Sequence, residues 1–489
     1  MSGELTLNGL STRQGPAYKW FVTLTVVLGT ISTVLTATIV NVALPDIMQA
    51  LQMTPDRVQL LSTGFLAAMT GSMLLTAWFV DSYGQRLTYV LVISVFVIAS
   101  IVGGFAPNST VLILARIGQG IAAGLMQPLS MLVIFKVFPV EKRGSAMGIY
   151  GVGIVLAPAL GPTLGGFLVD LFSWRYVFFV SIPFSLTGLL MAFRFLPNQT
   201  ENKERLAFDW LGLFAIAAFL VTLLSAFTLG SAHGWISVTV ISCAVAAVMS
   251  LLFFIWWENK CSAPLFNLSV FANVTFSNAA LVGFMLGAGM YGSTFLIPLY
   301  VQSVLSYSAT SAGLLLMPSG LIMGIIFPIA GRLADRSPAV ITISLGLLAF
   351  ALSSFLMTKA ELDTSFWALA FWIVLGRIGL ALVTPSLNVG SMRVLPPALL
   401  SQGSGAINFV RQLGGAFGVN LIAVYLHIRM LVHAGKMDEE FNPQLVQIPK
   451  NHSELLAYHD AFSVMAIVFA LALIPAIWMH WSSRRTSRS

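Results

Sequence analysis

Long apolar runs alternate with short polar connections along almost the whole chain. A membrane crossing needs about 20 apolar residues, and fourteen runs reach that length. They fall near 19–43, 57–80, 87–106, 110–136, 144–170, 174–196, 209–229, 235–257, 274–302, 310–333, 339–358, 365–392, 402–427 and 460–481. The pattern predicts an all-α membrane protein of fourteen transmembrane helices, most of them joined by tight turns. Longer polar stretches lie at 197–208, 258–273 and 428–459. The pattern also repeats. Pro128, Lys136 and Pro139 are answered by Pro385, Arg393 and Pro396, each 257 residues further on. Arg116-Ile-Gly returns as Arg377-Ile-Gly, and Asp81 in one turn is matched by Asp335 in another. Such repetition predicts two six-helix halves in the same orientation, 1–200 and 263–489, with 201–262 as an inserted two-helix linker.

Charge refines this picture. Only 9% of the 489 residues are charged, against about 25% in soluble domains. Lys and Arg in short loops favour the cytoplasmic face. Sixteen of them fall on the side that holds both termini and six on the other, so both termini are expected in the cytoplasm and the long outer loop 428–459 outside. The net charge of +7 is dispersed over these loops, which excludes a nucleic-acid footprint. The polar start Met1–Tyr18 leads into a span too long for a signal-peptide core, so no cleaved signal is expected. Cys243 and Cys261 imply no disulfide framework. No nucleotide-binding loop is present, and neither a cofactor nor a metal is expected. The six histidines sit in loops or at span ends without a clustered carboxylate. An intramembrane enzyme therefore lacks the constellation it would need.

Some residues stand out against the apolar background. Arg116, within the fourth run, is costly in a membrane and a functional candidate for that reason; the alternative is a side chain snorkelling to the interface. It opens Arg116-Ile-Gly-Gln119-Gly120-Ile-Ala-Ala-Gly124. The fifth run combines Gly153, Pro158, Gly161, Pro162, Gly165 and Gly166. Its glycines let a neighbouring helix approach closely and its prolines permit a bend. Turns with an acid beside a base follow the second run (Asp81, Gly84, Arg86) and the tenth (Asp335, Arg336). Polar groups at membrane depth that could line a substrate cavity are Thr36, Asn41, Gln119, Gln127, Asn388, Asn408, Arg411 and Gln412, with Met126 as an adaptable apolar wall.

Taken together these motifs resemble the major facilitator superfamily. The Gly161-Pro162-x-x-Gly165-Gly166 run is similar to its drug-exporter signature, and Arg411-Gln-Leu-Gly-Gly415 and Phe208-Asp-Trp-Leu-Gly212 are typical of the fourteen-span drug:proton antiporters of the EmrB/QacA type. The resemblance implies a bacterial inner-membrane exporter of small amphiphilic compounds, working by alternating access in exchange for protons. Arg116 would belong to the coupling network, the glycine-proline helix would be a pivot, and the Asp81 and Asp335 turns would be gates. It also implies a periplasmic adaptor with an outer-membrane channel as partners, for which the 428–459 loop leaves room.

One position departs from the family pattern. Span one usually carries an aspartate three residues before Ile-Val-Asn; here Leu35-Thr36-Ala37-Thr38-Ile39-Val40-Asn41 places Thr36 there. Threonine carries no proton or charge near neutral pH. Asp46, just beyond Pro45, is the remaining carboxylate candidate for coupling. A cavity with Arg116 or Arg411 and no facing acid favours a neutral or anionic amphiphile over a dication. It also leaves open a dedicated exporter of one metabolite, siderophore or lipid, with different or no proton coupling.

Overall fold

The computed structural model describes residues 17–197, 207–434 and 450–486. Its helices are α1 (Tyr18–Ala50), α2 (Pro55–Gly104), α3 (Ser109–Val137), α4 (Arg143–Leu171), the short α5 (Tyr176–Phe179), α6 (Ile182–Phe195), α7 (Trp210–His233) and α8 (Val238–Glu258). They continue as α9 (Val274–Ser303), α10 (Ala309–Arg336), α11 (Ala339–Met357), α12 (Phe366–Arg393), α13 (Leu400–His433), α14 (Lys450–Leu471) and α15 (Leu473–Thr486). Among the described residues thirteen helical stretches are long and apolar enough to cross a membrane.

The second of these stretches holds two of the fourteen expected spans. The helix that carries it, α2, is 50 residues long, and its helical backbone breaks at Gly84, with φ 76° and ψ 169°. A positive φ of this size suits glycine because there is no Cβ to clash. The sequence therefore makes a sharp turn at 84 without an intervening loop, and the Thr88 hydroxyl secures it by donating to the Phe79 and Gly84 carbonyls at 2.9 and 2.6 Å. Elsewhere, starts are marked by side-chain caps. Asn108, Asp209, Ser237, Ser308 and Ser365 each accept a backbone N–H from the first turn of the helix that follows, which satisfies donors that the helix itself leaves open.

The expected outer loop is shorter than 428–459. Helix α13 runs on to His433 and α14 already starts at Lys450; residues 435–449 lie outside the described residues, as do Arg13, Lys203, Arg205, Lys436 and Arg488 of the charge count. The upstream extension of α14 has a physical reason: Leu455, Tyr458 and Phe462 form one buried face at helical spacing.

The chain forms two compact units. The first comprises Met1–Asn273 with Leu395–Phe409, the second Val274–Val394 with Val410–Ser489. In the first, α2 packs along α3, α1 packs on α4, α6 and α3, and the paired α7 and α8 lean on α2 through α7. One end of this unit is sealed by Ile39, Val40, Ala43 and Ile47 of α1 against Leu61, Leu112, Trp174 and Phe178. In the second unit α12 packs on α10 and α11, and α11 on α14.

The α2–α3 contact is made at backbone range. A Cβ on Gly120 would lie 2.5 Å from the Phe65 carbonyl oxygen, and one on Gly124 would overlap the Met69 carbonyl and the Ser72 hydroxyl. Because the obstacle is backbone, Gly124→Val should force the helices apart. Overpacking of this kind costs about 1–3 kcal/mol or more. The expected outcome is a clear loss of monodisperse protein in fluorescence-detected gel filtration; recovery equal to wild type would show that the helices are free to separate.

Candidate functional site

The Gly120 and Gly124 contact also positions the most unusual side chain in the chain. Arg116, Gly120 and Gly124 follow at i, i+4 and i+8 and share one face of α3. Close approach of α2 to that face brings the Leu61 carbonyl to Arg116, which donates to it from Nε at 3.2 Å. From Nη1 the guanidinium donates to the Thr36 carbonyl of α1 at 3.3 Å and to Gln119 Oε1 at 3.0 Å. Gln119 in turn donates to Ser100 Oγ at 2.9 Å, and the Phe65 ring lies under the guanidinium with its centroid 4.2 Å away. Arg116 and Gln119 together therefore tie α1, both limbs of α2, and α3 to one another.

Arg116 is fully buried, so it does not snorkel to an interface. All of these partners are neutral: two carbonyls, an amide oxygen and an aromatic face. A buried charge ordinarily has an opposite charge beside it; here only dipoles and the ring quadrupole offset the cation. Thr36 stands on α1 at this point, but its hydroxyl donates to the Ser32 carbonyl at 2.9 Å within its own helix. The residue offers Arg116 its backbone, not its side chain. Asp46 is exposed near the end of α1, a helix that continues through Pro45 to Ala50. It is not part of the Arg116 cluster.

The gating turns can be described separately in each unit. Asp81 is half-buried and accepts from the Ser401 hydroxyl at 3.3 and 3.1 Å. Ser401 lies in the first turn of α13, so the carboxylate sits where the helix dipole favours an anion. Arg86 places its guanidinium over the Phe193 ring, 5.6 Å from the centroid. In the second unit Asp335 and Arg336 end α10, Asp335 half-buried and Arg336 exposed. The glycine-proline helix α4 turns its glycines toward α1. A Cβ on Gly153 would meet Val27 at 2.8 Å, one on Gly161 would overlap the Thr38 hydroxyl, and one on Gly165 would meet Ile39 at 3.0 Å. Around Gly166 nothing lies within 4 Å. Pro158 and Pro162 are carried within the helix.

The cavity candidates divide between the units. In the first, Thr36, Gln119 and Met126 are fully buried, Gln127 is half-buried and Asn41 is exposed, accepting from the Ser62 hydroxyl at 3.0 Å. Asn408 is buried too, and donates to the Ser404 carbonyl at 2.9 Å. In the second, Gln412 accepts from the Tyr291 hydroxyl at 3.0 Å, Arg411 is half-buried, and Asn388 is buried with its Oδ1 unbonded. Arg377, the counterpart of Arg116 in the repeat, lines a small cavity with Ser293, Ser353 and Ser354 and donates to Thr294 Oγ1 at 3.2 Å.

Sequence reasoning missed one cluster here. Arg429 pairs with Asp460, and the His433 ring nitrogen lies 2.7 Å from the same carboxylate oxygen. The spacing of Arg429 and His433 at i, i+4 was a signal for it, hidden once both residues were assigned to a loop.

Comparison with known proteins supplies the context for this geometry. The family model described as Major Facilitator Superfamily matches residues 26–212 and 209–419. The MFS-type transporter YcnB of Bacillus subtilis (strain 168) is 31% identical over 459 residues, covering 94% of this chain and 94% of its own. Multidrug export protein EmrB of Escherichia coli (strain K12) is 29% identical over 423 residues, covering 86% of this chain and 83% of its own. Among solved structures, the human organic anion transporter MFSD10 (TETRAN) aligns with a TM-score of 0.63 at 17% identity, over 95% of this chain and 100% of that one.

Proposed function

The chain belongs to the major facilitator superfamily as a multi-pass membrane protein, and we propose that it is an efflux transporter of the multidrug type whose substrates are neutral or anionic amphiphiles. Relatives named for multidrug export, such as EmrB and the multidrug transporter MdtP of Bacillus subtilis (strain 168), support export as the activity. The observation that carries the substrate class is the buried Arg116 cation with neutral partners. An exporter of lipophilic cations normally needs an acid at its binding site to offset the ligand's charge. Here the family's acidic position is Thr36, and its hydroxyl is already bonded to Ser32.

The proposed cycle is alternating access in a bacterial inner membrane with both termini in the cytoplasm. Substrate is drawn from the cytoplasmic side into a conformation that opens near Arg116. The glycine face of α4 slides against α1 during the switch, and the Asp81–Ser401 contact closes one end. Exchange for protons supplies the driving force. Arg116 fixes the electrostatic environment of the exchange, and Asp46 is the carboxylate available on α1.

Everted membrane vesicles energised by respiration test this reading, with the internal acidification followed by a pH-sensitive dye. Neutral and anionic amphiphiles should release protons in a protein-dependent manner, while lipophilic dications should have little effect. Transport of a labelled substrate with no response of the gradient would overturn the proton exchange and favour the dedicated, uncoupled exporter that Thr36 also admits. A response restricted to cations would overturn the substrate class.

A further inference from the structure

At the foot of the inserted helices two carboxylates fold against each other. Asp209 caps α7: its Oδ1 accepts from the Gly212 N–H at 2.9 Å, and the Trp257 indole N–H reaches Oδ1 and Oδ2 at 2.9 and 3.0 Å. Glu258 is the last residue of α8 and is only 4% exposed. Its Oε2 accepts from the Phe266 N–H at 3.1 Å, while Oε1 is buried without a hydrogen-bond partner. A Cβ on Gly212 would lie 2.5 Å from Asp209 Oδ2 and 2.5 Å from Glu258 Oε1. The unbonded oxygen therefore lies no more than 5.0 Å from the other carboxylate.

Among the described residues no cation pairs with either carboxylate. Lys260, just past α8, has its ammonium 4.4 Å from the Trp256 ring centroid. Cys261, a free cysteine, follows it. From α2, Trp78 packs on Phe208 next to Asp209, and the acid one turn further on, Asp81, accepts from Ser401. Two buried anions facing each other repel, and such pairs relieve the repulsion by holding one proton. The placement of the donors decides which group takes it: both oxygens of Asp209 accept N–H bonds, whereas the backbone N–H groups of Leu265 and Phe266 at Glu258 leave Oε1 empty.

We propose that Asp209 and Glu258 form a single-proton binding site, with the proton carried on Glu258 and donated toward Asp209. One proton from solution joins the Glu258 carboxylate, the pair passes from two negative charges to one, and no other bond is made or broken. The orphaned Oε1 becomes the hydroxyl of a neutral acid and gains a charge-assisted bond to Asp209. The site is connected to the turn at Asp81. Glu258 holds the Phe266 N–H, the next N–H, of Asn267, donates to Gln402 Oε1 at 3.2 Å, and Ser401 beside it donates to Asp81. An ionised Glu258 grips Phe266 more strongly than a neutral one, so the proton loosens the segment that holds the start of α13.

Infrared difference spectroscopy of the full chain in lipid nanodiscs, without substrate, tests the site. Wild type should show the carbonyl stretch of a buried protonated acid at neutral pH, shifted in D2O and lost on alkalinisation. Glu258→Gln should lack that band. Trp257→Phe should retain it at a changed frequency, because its acceptor Asp209 has lost a donor; this variant keeps the test open should Glu258→Gln not fold. A spectrum unchanged by both substitutions would overturn the proposal, as would a band abolished by sodium at constant pH, which would make the pair a metal-ion site. No transport is measured, so failure here leaves the export reading untouched.

Discussion

Replacing Arg116 with methionine is expected to reduce export of anionic amphiphiles by at least about tenfold while leaving the protein as stable as wild type, or more so. The two halves of this expectation have different origins. Hydrogen bonds to a charged group are worth about 1.5–3 kcal/mol each, and Arg116 makes three. Burying a guanidinium without a counter-charge costs several kcal/mol, so the net contribution of the cation to folding is small. Methionine fills most of the volume, and the Leu61 and Thr36 carbonyls keep their places in their helices. For an anionic ligand the loss is not compensated: opposite unit charges about 4 Å apart attract by about 4 kcal/mol at an effective dielectric of 20, and 1.4 kcal/mol is already tenfold. Thermal unfolding in detergent and vesicle transport of one anionic probe check both halves. Arg116→Lys should not rescue export, because one ammonium cannot reproduce separate Nε and Nη1 bonds to α2 and α1. Thr36→Asp is the informative partner. A carboxylate on α1 beside Arg116 would neutralise it, so transport of the anion should fall and that of a lipophilic cation should rise. A loss of melting temperature in Arg116→Met that accounts for the loss of transport would reduce Arg116 to a structural tie.

The spans were legible in the sequence because hydropathy needs only composition within a window, and the Gly84 break because only glycine suits a turn that sharp. Arg116 announced itself by its cost in an apolar run. What its partners would be was not legible. The sequence shows that Thr36 replaces an acid; only the fold shows that the Thr36 carbonyl faces Arg116 while its hydroxyl bonds Ser32. Glu258 was assigned to the polar stretch 258–273, since a hydropathy window ends where charge begins. Its burial arises from the chain folding back at Phe266, a contact eight residues away that no window sees. The ends of α13 and α14 were missed for the same reason: Arg429 and His433 read as loop residues until their pairing with Asp460, at the start of the last expected span, is seen.

The glycine-proline helix α4 gives the second large effect. Gly161→Leu is expected to lower transport by about ten- to a hundredfold with near-normal folded yield, whereas Gly166→Ala should behave as wild type. A side chain at 161 meets the Thr38 hydroxyl first, then Thr38 Cβ at 3.1 Å and the Ile39 nitrogen at 3.4 Å. Thr38 can turn its hydroxyl aside, so alanine is partly accommodated, but the longer leucine must push α1 away. Overpacking costs about 1–3 kcal/mol. If α4 slides on α1 during the cycle, the penalty falls on the closely packed state and shifts the equilibrium away from it by that amount. The protein then folds and is trapped. At Gly166 there is nothing within 4 Å to strike. A double-mutant cycle isolates the contact: Gly161→Ala should slow transport, and Thr38→Ala combined with it should restore most of the rate, since the obstructing hydroxyl is gone. Equal damage from Gly161→Leu and Gly166→Ala, or no rescue by Thr38→Ala, would remove the α1–α4 contact from the mechanism, and α4 would then be rigid scaffolding rather than a pivot.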